Sequence, residues 1–229
     1  MEERNRKWRG RNLKRKVLDL LKSEDFKSSL QTIRSFPARR VINPLFALLC
    51  STESEVKWRA AAAIGEVVAD LAQEDMESAR VIMRRMIWNL NDESGGIGWG
   101  VPEAMGEVLA RHEGLAEEYV NILLSYIRAD GNFLEYEPLQ RGVLWGLARL
   151  AQTRPELLNQ AVPHLQPFLS SEDATLRGLA AWTIGLLTAG QDAPGLEVLK
   201  SDDTEVVLYL NGTERTYLVS ELAKQAIEG

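Results

Sequence analysis

Apolar residues recur at spacings of three and four through most of the chain. Four stretches align without gaps when a glycine serves as anchor: residues 56–65, 97–106, 137–146 and 176–185. The anchors Gly65, Gly106, Gly146 and Gly185 stand 41, 40 and 39 residues apart. A large apolar residue precedes each one (Ile64, Met105, Trp145, Ile184), and Val67, Val108, Ala148 and Leu187 stand two positions after. Ala61, Pro102, Gly142 and Ala181 lie four before. These offsets mark one face of a helix. A second helix is predicted ahead of each anchored one. Asn43-Pro44 opens a run over 45–50, as an asparagine cap followed by proline at the first helical position. Residues 77–90, 116–127 and 158–169 fill the same place in the later repeats, and polar loops at 51–55, 91–96, 130–132 and 170–173 join the partners.

A repeated antiparallel helix pair of about 40 residues is a solenoid unit. The pattern therefore predicts an all-α, right-handed α-solenoid over residues 11–200, with helix pairs near 11–36, 37–72, 74–113, 115–153 and 156–190. Residues 1–10 form a basic arm. The last stretch, 191–229, reads as a cap: a helix, a β-hairpin over 205–218 and a final helix begun at Ser220. Asn211-Gly212 supports the hairpin, because both central residues of a type I′ turn need φ > 0. A strand there could instead offer its edge to a partner.

The stretch Glu53–Lys57 with Ala60-Ala61 and Ile64-Gly65, and Asp173 with Leu176-Arg177, Ala180-Ala181 and Ile184-Gly185, resemble the second helix of a HEAT repeat. The resemblance is to the bacterial type called phycobilisome-lyase-like HEAT repeats, and it covers roughly residues 37–190. Gly98 and Pro138 depart from it where Lys57 and Arg177 stand, so the charge contact of the type is missing in those two repeats. The Asn-Pro-Leu-Phe stretch at 43–46 and Asn-Asp-Glu-Ser-Gly-Gly at 91–96 also resemble a bacterial HEAT family, which brings no assigned activity. The resemblance implies a repeat scaffold; the phycobilisome-lyase name reports repeat similarity and no chromophore chemistry.

Composition narrows the classes. At 45% hydrophobic and 26% charged over 229 residues, the chain is neither disordered nor membrane-spanning, and a cytoplasmic location is expected. One cysteine and two histidines leave no disulfide framework and little material for a metal centre, so no metal and no cofactor are assigned. No Gly-x-Ser-x-Gly, P-loop or His-Glu-x-x-His occurs, and Gly95–Gly100 misses the dinucleotide-loop spacing, so the expected role is non-catalytic. Charge is lopsided. Arg4, Arg6, Lys7, Arg9, Arg11, Lys14, Arg15 and Lys16 face only Glu2 and Glu3 over residues 1–16, eight against two, so the net of −6 leaves −12 on the remainder. The arm makes nucleic acid an alternative partner, with a glycosylase-like HEAT protein as its enzymatic version; an acidic body opposes duplex binding.

The candidate site comes from tryptophans and from one loop. Trp58 and Trp99 lie seven before their anchor glycines, and Glu103 and Trp182 lie three before theirs. Offsets of −7, −3 and 0 share a helical stripe, which the glycine is expected to keep open as a groove; packing of these aromatics between neighbouring repeats is the alternative. The loop holding Asp92, Glu93, Gly95 and Gly96 rims it, and Arg59 and Arg141 stand nearby. Together these ten residues are expected to bind a protein segment, aromatics as apolar anchors and carboxylates facing basic residues of the partner. A small-molecule or chromophore ligand is a further alternative.

Overall fold

A computed structural model describes residues 10–91, 98–188, 195–210 and 212–228. The chain divides into two compact units, Met1–Leu115 and Ala116–Gly229.

In the first unit, α1 (Gly10–Leu21), α2 (Phe26–Arg34), α3 (Ala38–Leu48), α4 (Ser54–Glu74), α5 (Met76–Asn91) and α6 (Val101–Arg111) follow one another as helical pairs. First helices touch first helices (α1 with α3), and second helices touch second helices (α2 with α4, α4 with α6). The apolar face of α4, from Val56 through Ala60, Ile64 and Val68, is buried between these layers. Gly65 shows why the repeat needs its anchor: a Cβ there would stand 2.9 Å from Glu107 Cβ and 3.0 Å from the Glu107 carbonyl carbon. Backbone of α4 and α6 therefore meets directly, and only glycine leaves room.

Two predicted helices are corrected. Asn43-Pro44 does not start α3, which begins after Pro37 and carries Pro44 in its interior. The turn from Ala38 adds Val41 and Ile42 to the core, and that burial outweighs the one backbone bond proline removes. Residues 158–169 are not a single helix. Pro155–Leu158 and Gln166–Ser170 are 3₁₀ turns on either side of α9 (Val162–Leu165), each with a proline in its first positions. Proline suits a helix start and resists continuation of the one before, so three prolines divide the segment into three turns.

The second unit opens within α7 (Glu113–Ser125), then runs through α8 (Glu137–Ala151), those turns, α10 (Ala174–Thr188) and α11 (Leu196–Leu199). Strands β1 (Glu205–Leu210) and β2 (Thr213–Leu218) pair antiparallel from Leu210↔Thr213 to Glu205↔Leu218, and α12 (Val219–Glu228) ends the chain. Gly212 has φ +85°, as the hairpin turn requires; Asn211 lies outside the described residues. Val206, Leu208 and Leu210 turn one face of β1 inward, β1 packs on α10, and Trp145 of α8 donates its indole N–H to the Tyr209 carbonyl at 2.7 Å. That bond occupies a carbonyl of β1, while β2 is largely exposed. Helix α12 crosses α10 at the last anchor, where a Cβ on Gly185 would lie 2.5 Å from Ala226 Cα.

Gly185→Ala should destabilise the protein by about 1–3 kcal/mol through overpacking, read as a lower urea midpoint. An unchanged midpoint would mean that α12 is not held at this crossing.

Candidate functional site

Lys57, in the first turn of α4, and Glu103, in the first turn of α6, form a 2.7 Å ion pair, with the Glu103 side chain 5% exposed and the Lys57 side chain 26%. The Lys57 ammonium also stands 5.1 Å from the Trp58 ring centre. Glu103 Oε2 is buried and has no hydrogen-bond partner. Helix α6 starts here for local reasons. Gly100 adopts φ +72° at the cap, Val101 N–H donates to the Gly98 carbonyl, and Pro102 occupies the first turn. The turn is also tight: a Cβ on Gly98 would lie 2.9 Å from Leu90 Cδ2, and one on Gly100 would lie 3.1 Å from Leu49. Trp99 is carried between these two glycines and remains 37% exposed. The ion pair thus joins the starts of α4 and α6, each with a tryptophan adjacent or one turn away.

The rest of the predicted set is dispersed. Arg59 is engaged within the unit: its guanidinium donates to the Leu21 and Ser23 carbonyls at 2.8 and 2.9 Å, pairs with Glu55 at 2.5 Å and stacks 5.0 Å from the Phe26 ring centre. Asp92, Glu93, Gly95 and Gly96 lie outside the described residues. Arg141 and Trp182 belong to the second unit, where Arg141 pairs with Asp173 at 2.6 Å and Trp182 is half-buried. The anchor position of the stripe is closed by the next helix at Gly65, where the sequence led us to expect an open groove.

Sequence reasoning missed a line of charges across α2, α4 and α6. Arg34 grips Asp70 through two bonds of 2.6 and 2.8 Å and reaches Glu66 at 3.4 Å; Arg111 pairs with Glu66 at 2.8 Å and with Glu107. A signal was present, since Gly65-Glu66 and Gly106-Glu107 repeat, with Asp70 and Arg111 at matching positions one turn on. In the second unit Arg177 of α10 bonds to the Ser171 and Glu172 carbonyls and pairs with Asp202 at 2.8 Å, tying α10 to the cap. Burial opposes ionisation of Asp202, but the Arg177 guanidinium and Thr204 together outweigh it and hold the carboxyl below its usual range. On the basic arm, Arg11, Lys14, Arg15 and Lys16 lie exposed on α1, with Lys16 5.0 Å from the Phe36 ring centre; Arg4, Arg6, Lys7 and Arg9 are outside the described residues. No group of three or more His, Cys, Asp or Glu side chains fit to hold a metal occurs among the described residues. No described helix is long and apolar enough to cross a membrane.

A HEAT-like repeat model matches residues 137–187. No curated protein matches the chain. Solved structures with the same fold include an engineered protein (20% identity, 95% of each chain, TM-score 0.52). A designed armadillo repeat protein in complex with peptide (KR)4 is also similar, at 18% identity over 93% of this chain and 97% of that one, TM-score 0.51. So is Kap121p bound to Nup53p, at 14% identity over 96% of this chain and 24% of that one, TM-score 0.57. The fold is therefore that of the HEAT and armadillo α-solenoids, closed by a two-stranded hairpin. Residues 137–187 are thus similar to a HEAT-like repeat, and the match carries no finer type.

Two outcomes test these charge pairs. Lys57→Met, which leaves Glu103 buried without its cation, should cost about 3 kcal/mol, the low end for a broken buried pair because Lys57 keeps some solvent. Adding Glu103→Leu should restore most of that stability in urea unfolding, and failure to restore it would mean that the pair is not what couples the two sites. Asp202 has a depressed folded-state pKa, so its contribution is present above the unfolded value of about 3.9 and is lost as pH falls through the folded one. Asp202→Asn should thus melt below wild type at pH 7, with the gap closing in strong acid.

Proposed function

We propose that the protein is a non-catalytic adaptor that captures a segment of a partner protein at the joined starts of α4 and α6. Trp99 is the apolar anchor, Trp58 flanks it, and Asp92 and Glu93 meet basic residues of the segment. The observation that carries this reading is the exposed Trp99 indole on a turn fixed by the conformation of Gly100 and the packing of Gly98. An aromatic side chain on a backbone already ordered loses little further freedom when a partner covers it. Glu103 has a supporting part: buried against Lys57, it positions the first turn of α6. Arg59, Arg141 and Trp182 fall outside this reading of the site. The net charge of −12 beyond residue 16 favours a basic segment, and a designed armadillo repeat protein of similar fold, solved in complex with peptide (KR)4, supports the reading.

Affinity capture from native-source lysate, with nuclease treatment in parallel, tests the proposal. Trp99→Ala should lose a nuclease-resistant protein that wild type retains, while its melting temperature stays within a few degrees, as expected of an exposed substitution. A large drop in melting with capture intact would make Trp99 a packing residue and remove the site.

A further inference from the structure

The prolines that divide residues 155–170 leave a gap in the repeat packing of the second unit. On α7, Glu117, Val120, Asn121 and Leu124 lie on one helical stripe. A continuous helix would lay a ridge of side chains along such a stripe. Here the chain passes it as the 3₁₀ turn Pro155–Leu158 and the turn beyond. What remains is a cleft of about 450 Å³, walled on the far side by Glu156, Leu157, Asn159 and Gln160.

Val120 and Leu124 are buried at its floor and Leu157 is half-buried, whereas Glu117, Asn121, Glu156, Asn159 and Gln160 stand exposed around them. None of these five polar side chains makes a hydrogen bond or ion pair among the described residues. The lining carries two negative charges and no positive one. The volume falls in the range of organic ligands, and two carboxylates over an apolar floor are a poor cage for a metal ion. An organic cation with an apolar body fits all of these features. The acceptors also favour one kind of cation: two carboxylates and three amides present seven oxygens, more than the three donors of an ammonium can engage, and the five N–H groups of a guanidinium use them more fully. We infer that this cleft binds the arginine side chain of a partner segment, its methylene stem along Val120, Leu124 and Leu157 and its guanidinium between Glu117 and Glu156. The site is independent of Trp99, so either can fail alone.

The test is an amide NMR titration of the full chain with N-acetyl-arginine methylamide, with the lysine and citrulline equivalents and free arginine in parallel. The arginine probe should give saturable shifts confined to residues around Val120, Asn121 and Leu157. Glu117→Gln/Glu156→Gln changes only exposed residues and should weaken binding about tenfold or more while melting stays at wild-type temperature. Absent or scattered shifts, or unchanged affinity in the double variant, would overturn the site. Equal binding of the lysine or citrulline probe would overturn the guanidinium assignment, and tighter binding of free arginine than of the capped residue would overturn the partner segment.

Discussion

Direct backbone contact between neighbouring helices at the anchor glycines Gly65 and Gly185 is the constraint from which the packing of each unit follows. At Gly65 the α4 backbone lies against Glu107 of α6, and at Gly185 the α10 backbone lies against Ala226 of α12. With so short a separation, the neighbouring Ile64 and Ile184 are wholly enclosed, and each helix is fixed along its length as well as in its rotation. The C-terminal helix follows from the same rule. Helix α12 stands against α10 as a further second helix would, and the hairpin covers apolar surface that another repeat would have buried.

Once glycine sets the register, charges one turn away meet without adjustment. Glu66 and Glu107 directly follow their anchors, and both end on Arg111, while Arg34 reaches α4 from the preceding pair. Lys57 and Glu103 do the same at the other end of α4 and α6. Such pairs differ in worth. Lys22–Glu53 is exposed on both sides and adds little, whereas Glu103 is enclosed and has one oxygen unsatisfied. A slipped α6 would bury that carboxylate with no cation opposite, so the pair disfavours wrong alignments more strongly than it favours the right one.

The period and the hairpin were legible in the sequence because each rests on local chemistry: a glycine every 39 to 41 residues, and an Asn-Gly between two strand-like segments. What escaped depended on competition between local and tertiary effects. Asn43-Pro44 carries the signature of a helix start, yet the burial of Val41 and Ile42 draws the start back to Ala38. The apolar spacing of 158–169 is helical, yet its prolines divide it. At the candidate site, one-dimensional spacing placed Trp58, Trp99 and Glu103 on a common stripe without showing depth. Glu103 proved buried and Trp99 exposed because α6 begins at Val101, leaving Trp99 in the turn ahead of it. Arg59 looked available for a partner because carbonyls of an earlier loop are invisible to side-chain patterning.

Exposure alone does not choose Trp99 over Trp88, since Trp88 is 73% exposed and Trp99 37%. The difference lies in what surrounds each ring. Trp88 lies on α5, one turn from Arg84 and Arg85, within a regular helix whose backbone needs no special residue there. Trp99 sits where the backbone is specialised, with a left-handed glycine on one side and a glycine packed against Leu90 on the other. Ordering such a turn carries an entropic cost that the packing of α6 alone does not require, because a helix can start from an ordinary Ser or Asp cap. Partial burial moreover holds part of the indole in place and leaves the remainder to be covered. Binding energy concentrates at positions of that kind, where a rigid aromatic meets a partner with its orientation already set.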